Sequence, residues 1–340
     1  MRSRHHHPPS ISTAPLLRKW HRESRQRRLQ EPWVPYTLRL RGGLFRRILP
    51  QIVFTFVYSA FICYLLSTTS LRLALRSPIL FTAFGFIVSI AISFRMTASY
   101  NRWWEGRTQW DHLSAVSRNI ARTVWVHTVI EETEKRRFIR TVIALQVALK
   151  HHLRGEREWE RCNDLQALVE GLGVDYPTTA TNHPITLTVL LSHLLDRIRL
   201  TSTIDTQVLT HLLTHLDTLT CITSSCERLL RTPIPLSYNI AICRLIWCFV
   251  LCIPSQLWVA LRWYTVPATV IGGYLMFLMG EVGIEIENPF GWGPNDLDLE
   301  RYVALNTLDL EEIMGGGLTV REAVKDGLEV RIEERGYGTI

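Results

Sequence analysis

Two groupings in this chain have residue types and spacing that could hold a metal ion. His211 and His215 are four apart, so on a helix both imidazoles share one face, a geometry that can bind zinc. No intervening Glu and no third ligand accompany them, and the pair reads as an exposed or packing face. Asp296, Asp298 and Glu300 form an acidic cluster, and hard cations such as calcium take several carboxylate oxygens. Here the acids alternate with Leu297 and Leu299, and a helix start with Asp298 as N-cap is the better reading. His5-His6-His7 is too short to argue from. No phosphate loop, nucleophile elbow or paired catalytic acids occur, so no enzyme activity, no bound metal and no cofactor is expected. The seven cysteines, Cys63, Cys162, Cys221, Cys226, Cys243, Cys248 and Cys252, form no CxxC pair and read as packing residues of a reduced compartment.

Two further patterns are physical rather than ligating. Phe86, Ile90 and Phe94 follow at i, i+4 and i+8, so they share one helical face; residues alone would make that face lipid-facing or core packing. The stretch from Phe94 to Arg107, F-R-M-T-A-S-Y-N-R-W-W-E-G-R, gathers two tryptophans and several charges at the end of an apolar run. On its own it reads as interfacial anchoring with a local Arg102 to Glu105 pair.

The elements that carry these residues follow from charge. No Asp, Glu, Lys or Arg occurs between Arg47 and Arg72, Arg76 and Arg95, Arg244 and Arg262, or Arg262 and Glu281. A bilayer span needs roughly 20 mostly apolar residues. Four membrane helices in two hairpins are therefore expected, at about 48–67, 78–94, 237–261 and 263–280. Between the hairpins, at about 95–235, the pattern turns amphipathic, with Trp110, Leu113, Val116 and Ile120 on one face and Phe138, Val142, Leu145 and Leu149 on another. Further helices are expected at about Ile185 to Leu200, Ile204 to Leu230 and Leu299 to Met314, with a polar stretch around Gly171, Gly173 and Pro177 between. No strand-like alternation appears, and the fold class is all-α, a multi-pass membrane protein with a helical cytosolic region.

Apolar content of 47% and a mean hydropathy near zero average a membrane part and an aqueous part. The formal charge is +7, but residues 2–47 alone carry +10 and the remainder −3. Basic flanks stay cytosolic, so with an even number of spans both termini and the middle share that side. Residues 1–35 read as a poorly ordered basic tail, 36–315 as the folded region and 316–340 as a charged tail. Anionic lipid attracts such a basic arm, and nucleic acid is not expected as a partner.

The run Phe94-Arg95 with Tyr100-Asn101-Arg102-Trp103-Trp104-Glu105-Gly106-Arg107 closely resembles the bestrophin family of ion channels. Three more blocks agree in order. They are Leu40-Arg41-Gly42-Gly43, Cys226-Glu227-Arg228 with Thr232-Pro233-Ile234-Pro235, and Glu285-Ile286-Glu287-Asn288-Pro289-Phe290-Gly291 with Asn295-Asp296-Leu297. The wording is nearer the microbial and fungal branch than the animal one.

The resemblance implies a homopentameric channel that passes anions such as chloride through one central pore. It makes Phe86, Ile90 and Phe94 a hydrophobic neck, and Thr82, one turn earlier on the same face, would then give a polar lip. It puts Arg95, Arg102, Trp103, Trp104, Glu105 and Arg107 in a motif at the cytosolic mouth. A second aperture is implied near the start of the helix after Pro184, aligned on Leu187 with Ile185 as the alternative. Animal bestrophins have a denser acidic run as a calcium clasp where this chain has Asp296, Asp298 and Glu300. Two other functions stay open: a cation-preferring pore, which Glu281, Glu285 and Glu287 would favour, and a membrane scaffold whose helical region binds partners. Whether the membrane is plasma or organellar does not follow from the sequence.

Overall fold

The protein's structure is a computed structural model that describes residues 44–68, 78–156, 158–174, 176–201, 204–293 and 295–315. The basic tail over 1–35, the Leu40 to Gly43 block, most of the turn from Ser67 to Ser77 and the tail over 316–340 lie outside the described residues. Every regular element among the described residues is helical. In chain order these are α1 (Phe45–Thr68), α2 (Pro78–His127), α3 (Glu132–Leu153), α4 (Asn163–Glu170), α5 (His183–Thr201), α6 (Thr206–Arg231), α7 (Leu236–Leu261), α8 (Thr265–Glu285) and α9 (residues 299–315).

Three helical stretches are long and apolar enough to cross a bilayer: Phe45–Thr68, Pro78–His127 and Leu236–Glu285. The third is not one rod. Arg262 has φ +49°, and the 3-10 turn Arg262–Tyr264 divides it into α7 and α8. Ile253 packs at Gly272, Val250 at Gly273 and Ile246 at Gly280, so position falls in one helix as it rises in the other and the pair is antiparallel. In the second stretch α2 continues without interruption to His127, beyond the apolar run that ends near Phe94.

The chain divides into two compact units. One holds the described residues 44–106 and 229–297, that is α1, the first part of α2, α7 and α8. Its core gathers Ile48, Val88, Ile246, Phe249, Val250 and Phe277. Phe249 stacks on Phe81 at 4.7 Å between centroids and meets Phe84 edge-on at 5.8 Å. Gly273 lets α8 approach closely, since a Cβ there would stand 3.2 Å from Val250 and 3.3 Å from Thr55. Only 22%, 17% and 22% of the three apolar windows is buried within the chain. Most of the apolar surface therefore remains for lipid or for other copies.

The other unit holds residues 107–228 and 298–315. Its centre is α3, buried continuously from Thr141 to Leu153. The expected apolar face of α2 is buried, with Trp110 at 2%, Leu113 at 1% and Ile120 at 0% exposure. Glu132 and Glu134 in the first turn of α3, and Lys150, His151 and His152 in its last, complement the helix dipole. Inside, Gln146 donates to the Ser117 hydroxyl at 3.0 Å and accepts from Asn306 at 2.8 Å. The polar stretch after α3 is not all loop: α4 buries Leu165, Leu168 and Val169.

Candidate functional site

The stripe Phe86, Ile90, Phe94 on α2 is open, with exposures of 67%, 38% and 65%. The neighbouring stripe through Phe84, Val88 and Ala91 is the packed one: Val88 is fully buried and the other two lie against the same core. So α2 has two apolar faces, and its own chain covers one. Thr82 and Ser89 return their hydroxyls to the carbonyls of Pro78 and Gly85, at 2.9 and 2.8 Å.

Below that stripe the motif residues converge with the blocks before α7 and after α8. The Arg102 guanidinium donates to three carbonyls, of Glu287 at 3.1 Å, Thr232 at 2.6 Å and Leu229 at 2.6 Å. Arg102 thereby makes a long-range tie, a planar fork reaching segments far apart in sequence. Glu287 completes the tie. Its carboxylate accepts the Ile234 N–H at 2.9 Å and the Asn239 amide at 3.3 Å, which holds the entry to α7. Trp103 donates from Nε1 to the Asn295 carbonyl at 3.1 Å, and Asn295 donates to Glu285 at 2.7 Å.

Gly106 is buried where a Cβ would stand 3.0 Å from Pro289 and 3.3 Å from Phe290, so the Asn288-Pro289-Phe290-Gly291 loop closes on it. Trp104 stays 55% exposed and stacks on Tyr100, as an interfacial aromatic does. Glu105 is half-buried. Arg95 is buried at 1% exposure, beside Gly283, and among the described residues its guanidinium nitrogens have no hydrogen-bond partner. Arg107, in the other unit, reaches Asp111 at 3.6 Å and lies 4.6 Å over the Tyr302 ring.

The two positions aligned on the second aperture differ in burial. Leu187 has no exposed surface, because α5 turns it into the core of its unit, whereas Ile185 two residues earlier is 51% exposed. A side chain wholly inside a subunit cannot line an opening. Asn182 starts that helix, accepting the Ile185 N–H on its side chain at 3.3 Å.

The metal-like groupings are committed elsewhere. Asp296 accepts the Gly293 N–H at 2.6 Å, and Asp298 accepts the Arg301 N–H at 3.3 Å as the cap of α9. Glu300 takes Arg154 at 2.9 Å and Lys150 at 3.2 Å. His211 and His215 approach each other to 3.0 Å, and among the described residues no three metal-ligating side chains gather. Burial, then His211 and Arg122, lowers the pKa of His215. All seven cysteines are free thiols.

Sequence reasoning missed an ionic cluster at the end of α3. Lys150, 1% exposed, meets Asp164 at 2.6 Å, and His151 lies between Glu156 and Asp164 at 2.5 Å each. Burial opposes the charge on Asp164, but the His151 hydrogen bond and the Lys150 charge overcome it and hold its carboxyl well below the usual range. Burial, with Asp164 and Glu156 adding to it, pushes the Cys162 thiol up to about 11. The available signal was the Lys150-His151-His152 run at a helix end, which reads equally as an ordinary C-terminal turn.

Residues 23–312 match the family of bacterial and fungal bestrophin proteins. A Synechocystis protein named voltage-dependent anion channel-forming protein sll1024 is 32% identical over 233 residues, which cover 67% of this chain and 75% of that protein. A Nostoc protein named voltage-dependent anion channel-forming protein alr2987 is 29% identical, over 79% of this chain and 87% of its own. The fold is similar to the crystal structure of a bacterial bestrophin homologue from Klebsiella pneumoniae. That likeness has a TM-score of 0.69 at 23% identity and covers 79% of this chain and 98% of the other.

Proposed function

The chain belongs to the family of bacterial and fungal bestrophins, and from that premise we propose that it conducts anions passively through a pore built from copies of itself. It is an integral membrane protein, with apolar helices of spanning length. The family and the channel-forming names of the relatives point to transport rather than catalysis.

One observation carries the reading: α2 keeps a second apolar face, through Phe86, Ile90 and Phe94, that its own subunit does not cover. In a pentamer with one α2 from each subunit around the axis, these residues form three stacked rings. Narrow apolar rings block ions by dewetting and pass them when widened. Phenylalanine edges are electropositive, which favours anions without a fixed charge on the lining. Thr82 supplies the lip, and the second aperture falls to Ile185, because Leu187 is buried.

In this arrangement α1, α2, α7 and α8 make four crossings, with α7 and α8 turning back at Arg262. Both termini and the helical middle lie on the cytosolic side, where the basic amino-terminal flank belongs. The ground for a cation-preferring pore is weakened, since Glu281 pairs with Arg47 at 3.1 Å while Glu285 and Glu287 have amide partners.

The test is reconstitution of the purified protein in planar bilayers under chloride and sodium gradients in turn. A reversal potential following chloride is expected. One following sodium would establish the cation pore, and silence from intact assemblies would favour the scaffold. Joint change of Phe86, Ile90 and Phe94 to Ala should widen and wet the neck, raising current or removing its gating while assembly persists. A triple variant that conducts and selects like the parent would show that the stripe does not line the pore.

A further inference from the structure

We propose that Arg95 sets the charge preference of the conduction path: an unpaired guanidinium, sealed inside the subunit one residue beyond Phe94, whose field draws anions to the neck and repels cations. The inference rests on Phe94 lining the pore.

Arginine within a spanning segment is costly, and buried charges are ordinarily paired. Arg95 is not. It is 1% exposed, and among the described residues none of its three guanidinium nitrogens has a hydrogen-bond partner. Ser99, one turn later and fully buried, also leaves its hydroxyl unpartnered. Three carboxylates at and just beyond the end of α8 are directed elsewhere: Glu281 to Arg47, Glu285 to Asn295, and Glu287 to Ile234 and Asn239. Arg102 on the same helix shows the contrast, for its three carbonyl bonds explain it as a structural tie. No such bond explains Arg95.

The surroundings keep the charge both in place and uncompensated. Gly283 makes room for it, since a Cβ there would stand 3.2 Å from Arg95 Nε and 3.4 Å from its Cδ. Because the side chain is covered within a single chain, neither a lipid phosphate nor a carboxylate of a neighbouring copy reaches it without rearrangement. Arginine keeps its charge in proteins. In a medium of low dielectric constant that charge acts over a distance that water would screen, so contact with the ion is unnecessary. Consecutive residues on a helix are turned about 100° apart. Arg95 therefore stands beside the stripe rather than in it, and an ion passing the Phe94 ring meets five such charges in the proposed assembly.

The experiment compares wild type, Arg95→Met and Arg95→Lys in bilayers under a salt gradient, reading the chloride-to-sodium permeability ratio from the reversal potential. Arg95→Met keeps the volume and removes the charge, and the ratio should fall by roughly tenfold, an effect on the order of one close charge at intermediate dielectric. Arg95→Lys should hold the parental ratio in acid, where its ammonium is charged, and lose it as pH rises, because burial without a partner lowers a lysine pKa. Since no partner is lost, Arg95→Met should assemble as well as the parent. If it does not assemble alone, mixed assemblies with excess wild-type subunits should give an intermediate ratio. A parental ratio in Arg95→Met, or in the mixed assemblies, overturns the proposal, and so does a Lys variant whose ratio stays as low as that of Met even in acid, where the ammonium is charged. A wild-type protein that passes no current would instead refute the channel reading itself.

Discussion

Arg102 joins three segments that are distant in sequence, and its removal leaves three carbonyls without their donor. Hydrogen bonds from a charged donor contribute more than neutral ones, and Arg102→Met is expected to cost about 3 kcal/mol, read as a lowered unfolding temperature in detergent. Arg102→Lys should recover little, because a single ammonium cannot serve three acceptors in a fixed fork. Equal stability of Lys variant and parent would contradict this. Asp164 makes a pH prediction. Its folded pKa is depressed, so its contribution is complete above the ordinary carboxylate range and is lost as pH falls toward the folded value. Asp164→Asn should therefore be less stable than wild type at pH 7, and the two should draw together as the medium is acidified. A gap that stays constant down to acid unfolding would rule out that linkage.

At the scale of elements, the turn between α7 and α8 is the point of strain. Arg262 adopts φ +49° and ψ −127°, a region open to glycine and unfavourable for other residues, although its guanidinium lies 5.7 Å over Trp258. Arg262→Gly should stabilise the hairpin by about 1 kcal/mol, the strain relieved exceeding an exposed cation–π contact, and thermal unfolding would register it. A lowered transition would mean that the Trp258 contact outweighs the strain. The long α2 has a different logic. It belongs to both units, with Phe84 and Val88 packed in one and Trp110 and Ile120 in the other, while Phe86 and Phe94 of the neighbouring stripe stay mostly exposed.

For the whole molecule, the uncovered apolar surface implies partners. A single subunit supplies one α2, and a water-filled path through a bilayer needs a closed ring to exclude lipid. The proposed pore therefore predicts a pentamer, measurable as the mass of the detergent-solubilised protein after subtraction of bound detergent. A stable monomer or dimer would sink the pore while leaving the family assignment intact.

The sequence by itself determined the helical class and the apolar elements, because charge-free runs and periodicity record burial directly. The charge-free run after Arg47 marked most of α1, and the Trp110, Leu113, Val116 and Ile120 spacing marked a face that is indeed buried. It also supplied the ordered motif blocks. What those blocks do was decided only by the tertiary structure, since Arg102, Thr232 and Glu287 meet through folding and no local rule pairs them. The same holds for Leu187 and Ile185, both apolar in one helix start, where packing alone chooses which is covered. Helix α4 escaped because eight residues give too few turns for a period to stand out. Arg95 looks like any interfacial arginine in sequence; that it is sealed in without a partner depends on what surrounds it in space.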